Sequence, residues 1–175
     1  MNALTRRCGL NLGLLGLVGG LAALALVESG RELLPAIPPL LNLLPERIER
    51  IAVERPGQAN LMFERRDGHW WMTAPEGGPA NPILIHPILQ LAQARCAPSY
   101  AVAELDLPGL QLEPPRLRLW LNDQDIYFGA TAPTDGQRYL RVGATVRLCP
   151  DRLYLLLTSA AASFLARPLE DFPKH

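Results

Sequence analysis

The sequence predicts an α+β protein: an N-terminal transmembrane helix, then one domain of antiparallel β-hairpins with two helices, arranged as two related strand-turn-strand-helix halves. Three observations carry this. Residues 8–27 form an uncharged apolar run. From Ile48 onward, short segments alternate apolar and polar residues. Each group of such segments leads into a Pro-started stretch with helical spacing, at Asn81-Pro82 and again at Pro150-Asp151.

The apolar run reads CGLNLGLLGLVGGLAALALV, with Asn11 its one polar side chain. Twenty residues of helix rise about 30 Å, the thickness of a bilayer's hydrocarbon core. Arg6 and Arg7 precede it within the n-region 1–7, and Glu28, Arg31 and Glu32 follow. The positive-inside bias therefore orients it as a single-pass inner-membrane anchor with the rest of the chain in the periplasm. A cleaved signal peptide ending at Ala23-Leu24-Ala25 also fits; the continuation of the run past that point favours the uncleaved anchor. Gly9, Gly13, Gly16, Gly20 and Ala23 are spaced along one helical face, where another helix could approach closely, although glycine is common in membrane helices in any case.

Residues 28–45 form an apolar linker with prolines at 35, 38, 39 and 45, which forbid a long regular helix. The stretch is too apolar for a solvated spacer, so it either follows the membrane surface or packs on the domain. The domain is expected over 46–167, with 168–175 as a tail.

IERIAVE (48–54) and NLMFERR (60–66) read as strands joined by a turn at PGQ. Asp67-Gly68 is a strong hairpin dipeptide because glycine tolerates positive φ. HWWMT (69–73) returns as a third strand, with Trp70 and Met72 on one face and His69, Trp71 and Thr73 on the other. Asn81-Pro82 starts a helix of about 80–96, with Ile85, Ile88, Leu89 and Ala92 as its apolar face. PRLRLWL (115–121) alternates strictly and turns at 122–124 into DIYFG (125–129); QRYLRV (137–142) and TVRLC (145–149) form another hairpin. A mostly apolar helix is expected over 152–166, too short to span a membrane and so buried on the sheet.

Taken in order, these segments resemble the DUF4340 domain of bacterial envelope proteins. The stretch IERIAVERPGQANLMFERRDGHWWMTAPEGGPAN is similar to its opening, LDLPGLQLEPPRLRLWL to its central element, and IYFGATAPTDGQRYLRVGATVRLC to its close. The resemblance covers about 46–157 together with the N-terminal anchor. Arg147 departs from it, standing where the family more often has a residue such as tyrosine, and so does the short tail after Pro168. The resemblance implies no established activity and no catalytic residues. It implies a place beside membrane complexes, because some members resemble accessory parts of ABC-type export or gliding-motility systems.

The residues themselves point away from several chemistries. Lys+Arg and Asp+Glu are equal at 17 each, so no strong field recruits nucleic acid. His69, His86 and His175 lack paired metal-ligand spacing, the four serines lack a nucleophile motif, and the glycine-rich run lies in the membrane segment. No catalytic residue, metal or cofactor is assigned. DGQRYLR (135–141) brings Arg138, Tyr139 and Arg141 near a carboxylate, as an anion site or as a solvated hairpin face. Trp71 and Trp120 both point away from the core by alternation, and either form a partner-facing patch or lie under the linker or a helix. Cys96 and Cys149 stand in the exported domain, where oxidation is permitted; two separate buried thiols is the commoner arrangement, and a disulfide is the alternative. The expected function is a membrane-anchored periplasmic interaction or accessory module of a membrane protein complex, such as ABC transporter subunits, held to the lipid bilayer by its N-terminal helix. The competing expectation is a small-ligand binder or enzyme using a cleft between the two halves.

Overall fold

A computed structural model describes residues 37–133 and 136–166, with Gly16 and 18–20. Gly16 and 18–20 are helical; the rest of the expected span 8–27, including Gly9, Gly13 and Ala23, lies outside the described residues. Among the described residues no helix is long and apolar enough to cross a membrane.

The nine strands are β1 (Arg50–Glu54), β2 (Leu61–Arg66), β3 (His69–Ala74), β4 (Gly78–Pro79), β5 (Ser99–Ala101), β6 (Leu117–Leu121), β7 (Gln124–Thr131), β8 (Gln137–Val142) and β9 (Thr145–Pro150). They form one sheet in the order β4-β3-β2-β1-β6-β7-β8-β9-β5, with every pairing antiparallel. The architecture is therefore an antiparallel sheet with few helices, in the α+β class. Strands β1–β4 form one meander and β6–β9 another, each followed by a helix: α1 (Pro82–Gln90) and α2 (Arg152–Leu157). The meanders meet where β1 pairs with β6. That ladder runs without a break from the first meander into the second.

Alternation sorts the side chains as the pleat requires. Ile51, Val53, Phe63, Met72, Leu117, Leu119, Leu121, Ile126, Phe128 and Leu140 are buried, in one core with Ile85, Ile88, Leu157 and Phe164. The rings of Phe63 and Phe164 stand 5.6 Å apart and tie the first meander to the C-terminal segment. Asp67 and Gly68 have φ of 49° and 80°, as a two-residue hairpin turn needs.

Both helices are shorter than their apolar patterns suggest. In α1, Asn81 caps Ile83 N at 3.1 Å and Pro82 takes the first position. The helix then tightens into a 3₁₀ turn at Leu91–Gln93. There the carbonyls of Ala92 and Ala94 accept from Leu41 N and Leu40 N instead of from later helical amides. In place of a helix over 152–166, α2 stops at Leu157 and a 3₁₀ turn spans Ala161–Phe164. The stop has a side-chain cause: Arg55 donates to Ser159 O at 2.8 Å and to Leu157 O at 3.4 Å, capturing carbonyls at the helix end.

The compact unit that holds the sheet takes in the chain from Ile37. Leu40 and Leu41 are buried in the core, and Gln93 donates to Leu43 O at 2.7 Å. Arg95 donates to Ile37 O at 2.8 Å, and Arg147 to Pro38 O at 3.0 Å and Pro39 O at 2.9 Å. Prolines cannot make a ladder of their own, so arginine side chains satisfy the carbonyls of this stretch. Arg147 is one of those clamps.

Cys96 and Cys149 are bonded to each other, with an S–S distance of 2.08 Å across a sequence separation of 53. The bond joins the segment after α1 to β9, and so links the two halves.

Candidate interaction face

One face of the sheet carries the helices and the core. Among the described residues nothing covers the opposite, outer face over β3, β2, β1 and β6, and that face holds both outward tryptophans. Ala52 on β1 stands opposite Met62 on β2 and opposite Trp120 on β6. These three residues form an apolar row across the strands. Met62 is 49% exposed and Trp71, on β3, is 38% exposed; Trp120 is half-buried. The small Ala52 between two large side chains leaves grooves of about 220 and 270 Å³ beside the row. Both fall below the roughly 300–1,000 Å³ of small-molecule sites.

Charged residues flank the row on both sides. Arg50 pairs in register with Glu64, which in turn faces Trp71. On the other side Glu54 pairs in register with Arg118. The Arg118 guanidinium lies 4.3 Å from the Trp120 ring centroid and 4.8 Å from that of Tyr127, so it is stacked between two aromatic rings. Its Nη2 donates to Asp125 at 3.1 Å, and the Tyr127 hydroxyl donates to the same carboxylate at 2.6 Å.

This cluster is coupled in its titration. The Tyr127 hydroxyl, helped by Arg118, holds the Asp125 carboxyl below the usual range against the opposing effect of burial. The Asp125 carboxylate in turn pushes the Tyr127 phenol above its ordinary value, and burial acts the same way. Asp125 therefore contributes stability above its unfolded pKa, lost as pH falls through the depressed folded value. Tyr127 contributes stability below its unfolded pKa, near about 10, lost as pH rises through the raised folded value. In an absorbance titration, one of the four tyrosines is expected to ionise above the usual range. Asp125→Asn is expected to bring it back; an unchanged titration curve would contradict the coupling.

The sequence-predicted site residues divide three ways. Trp71 and Trp120 share the bare face. Tyr139 and Arg141 lie on the same side of the sheet but further across, beside the segment 102–112. There Leu107 and Leu112 pack with Val146 in a small cluster that Tyr127 and Tyr139 border. Arg141 is held by Glu113 at 2.6 Å. Arg138 corrects the expectation of a surface residue, being only 3% exposed. It shares its face of β8 with the buried Leu140, two residues on, and so points to the helix side of the strand. There its guanidinium meets Asp151 at 2.5 and 3.1 Å, Thr131 Oγ1 at 3.0 Å and the Gly129 carbonyl, under the Tyr154 ring at 3.6 Å. Its role is to fasten β8 to the start of α2. The carboxylate expected to complete that site, Asp135, lies outside the described residues.

The covering segment reaches β7 so closely that glycine is required beneath it. A Cβ on Gly129 would meet Leu110 O at 2.5 Å and the Leu112 side chain at 2.9 Å. Gly129→Ala is expected to lower stability by about 2 kcal/mol through this overpacking. Urea denaturation checks it, and an unchanged midpoint would show that the segment yields freely.

No family model matches the chain, and neither a curated protein nor a solved structure matches it. The likeness to the DUF4340 domain therefore stands on the ordered motifs alone. Met62, Ala52 and Arg118 belong to the face but were not singled out by sequence. Their signal was cross-strand register, which joins residues of three separate segments.

Proposed function

We propose that this protein is a membrane-anchored periplasmic interaction module, an accessory part of an envelope complex, and that its working surface is the bare outer face around Trp71, Met62 and Trp120. The observation that carries this reading is the placement of large apolar side chains on the solvent side of the sheet, where the fold does not need them. Grooves this shallow suit a protein surface better than a small ligand. A third depression, of about 450 Å³, is lined mainly by prolines, including Pro56, Pro108 and Pro114. Its one charged residue, Arg116, is already engaged by Gln111. Association with an ABC-type transporter rests on the family likeness, and the anchor rests on the apolar run 8–27.

The test is purification of tagged full-length protein in mild detergent. The wild type is expected to bring associated chains that the Trp71→Ala/Trp120→Ala variant loses while remaining folded. The same chains recovered with both proteins would overturn the assignment of the face.

A further inference from the structure

We infer that the occupant of this outer face is a second copy of the same chain, docked face to face about a twofold axis that runs along the Met62–Ala52–Trp120 row. The argument is electrostatic and depends on register. Along β1, Arg50 lies on one side of the row and Glu54 on the other. On the β6 side, Asp123 stands with Arg50, 3.3 Å from its guanidinium, while Arg118 stands with Glu54. Rotation about the row exchanges its two sides and leaves each strand over its own counterpart. Arg50 then faces Glu54 of the second copy, and Asp123 faces Arg118 of the second copy, each contact occurring twice. Met62, Ala52 and Trp120, on the axis, face themselves and bury apolar surface.

A twofold along the strands would instead oppose Arg50 to Arg50 and Glu54 to Glu54, which like-charge repulsion disfavours. The segment 102–112 does not obstruct the favoured arrangement. It packs beside Tyr127, Tyr139 and Val146, at the level of Glu54 and beyond. The rotation carries the copy's segment to the Arg50 side, past the ends of β7–β9.

Size sets the strength. Four strands at about 4.8 Å and a few residues at about 3.4 Å give a projected footprint on the order of 300 Å². That falls short of the roughly 800 Å² per partner of a stable soluble dimer. The contact is therefore one that persists when both copies are confined to one bilayer, which raises their effective concentration. In this respect the inference rests on the membrane-anchor reading.

The test uses full-length protein in membranes of expressing cells, carrying Cys8→Ser and Ala52→Cys. A bis-maleimide spanning about 10 Å matches the spacing of two packed sheets. It is expected to link Ala52→Cys chains into dimers. Adding Arg50→Glu or Glu54→Arg alone is expected to reduce the cross-linked fraction about tenfold or more. Combining the two restores it, because the reversed charges again face each other across the axis. Thermal midpoints establish that each variant is folded. Absence of the cross-link in folded, membrane-retained protein overturns the dimer and leaves the anchor standing. Insensitivity to the single reversals, or failure of the double reversal to restore, overturns this arrangement. Release of the protein by carbonate washing overturns the anchor and, with it, a dimer whose footprint needs the bilayer.

Discussion

Replacing Cys96 and Cys149 together with alanine is expected to lower the stability of the folded domain by about 4 kcal/mol. The bond closes a loop with a sequence separation of 53, so its removal returns a large set of conformations to the unfolded chain. Position adds to length. Cys96 follows α1, after the first meander, and Cys149 lies in β9 of the second, so the bond fastens meanders that otherwise join through the β1–β6 ladder and the shared core. Both residues are buried, so the alanines also leave small voids. Urea denaturation of the oxidised and doubly substituted proteins measures the difference. A loss under about 1 kcal/mol would mean that the sheet and core hold the halves without the covalent tie.

Arg55→Leu is expected to cost about 3 kcal/mol, although leucine is the more hydrophobic residue. Arg55 is only 4% exposed, and the partners it has are carbonyls: Ala59 O at 2.8 Å from Nε, Ser159 O at 2.8 Å and Leu157 O at 3.4 Å from Nη1. Burial pushes its guanidinium pKa down from the ordinary value. The side chain joins the β1–β2 turn to the end of α2, and leucine would leave those carbonyls buried without donors. Arg55→Lys is expected to recover only part of the loss, since an ammonium cannot match the planar fork. Equal stability of Arg55→Leu and wild type would show that water or local rearrangement satisfies the carbonyls.

The strands were legible because one side of a pleated sheet is buried and the other is not. Leu117, Leu119 and Leu121 alternate with Arg118 and Trp120 as strictly in the fold as in the sequence. The Asp67-Gly68 turn was legible for the same local reason. The helix ends were not, because they depend on distant groups. Nothing in RLYLLLTSAAASFLA announces that Arg55, about a hundred residues earlier, will take its carbonyls. The stretch around Leu40 and Leu41 looked like a linker because the arginines that satisfy its backbone, Arg95 and Arg147, are equally remote.

The candidate face was half legible. Trp71 and Trp120 followed from alternation within single strands. Arg138 did not, because strand parity alone could not tell a solvated hairpin from one whose second side is closed by α2 and Asp151. Met62 and Ala52 needed the register between β1, β2 and β6, and that is fixed by the whole sheet.

The central claim is that this outer face is covered when the protein is at work. Thiol labelling tests it most directly, comparing Met62→Cys with Ile83→Cys in a Cys8→Ser background. Ile83, on α1, is exposed on the other side of the sheet and serves as the reference. The account expects Met62→Cys to label much more slowly in native membranes than after dissolution in a dissociating detergent, with Ile83→Cys equally fast in both. Equal labelling of Met62→Cys in both states would contradict it.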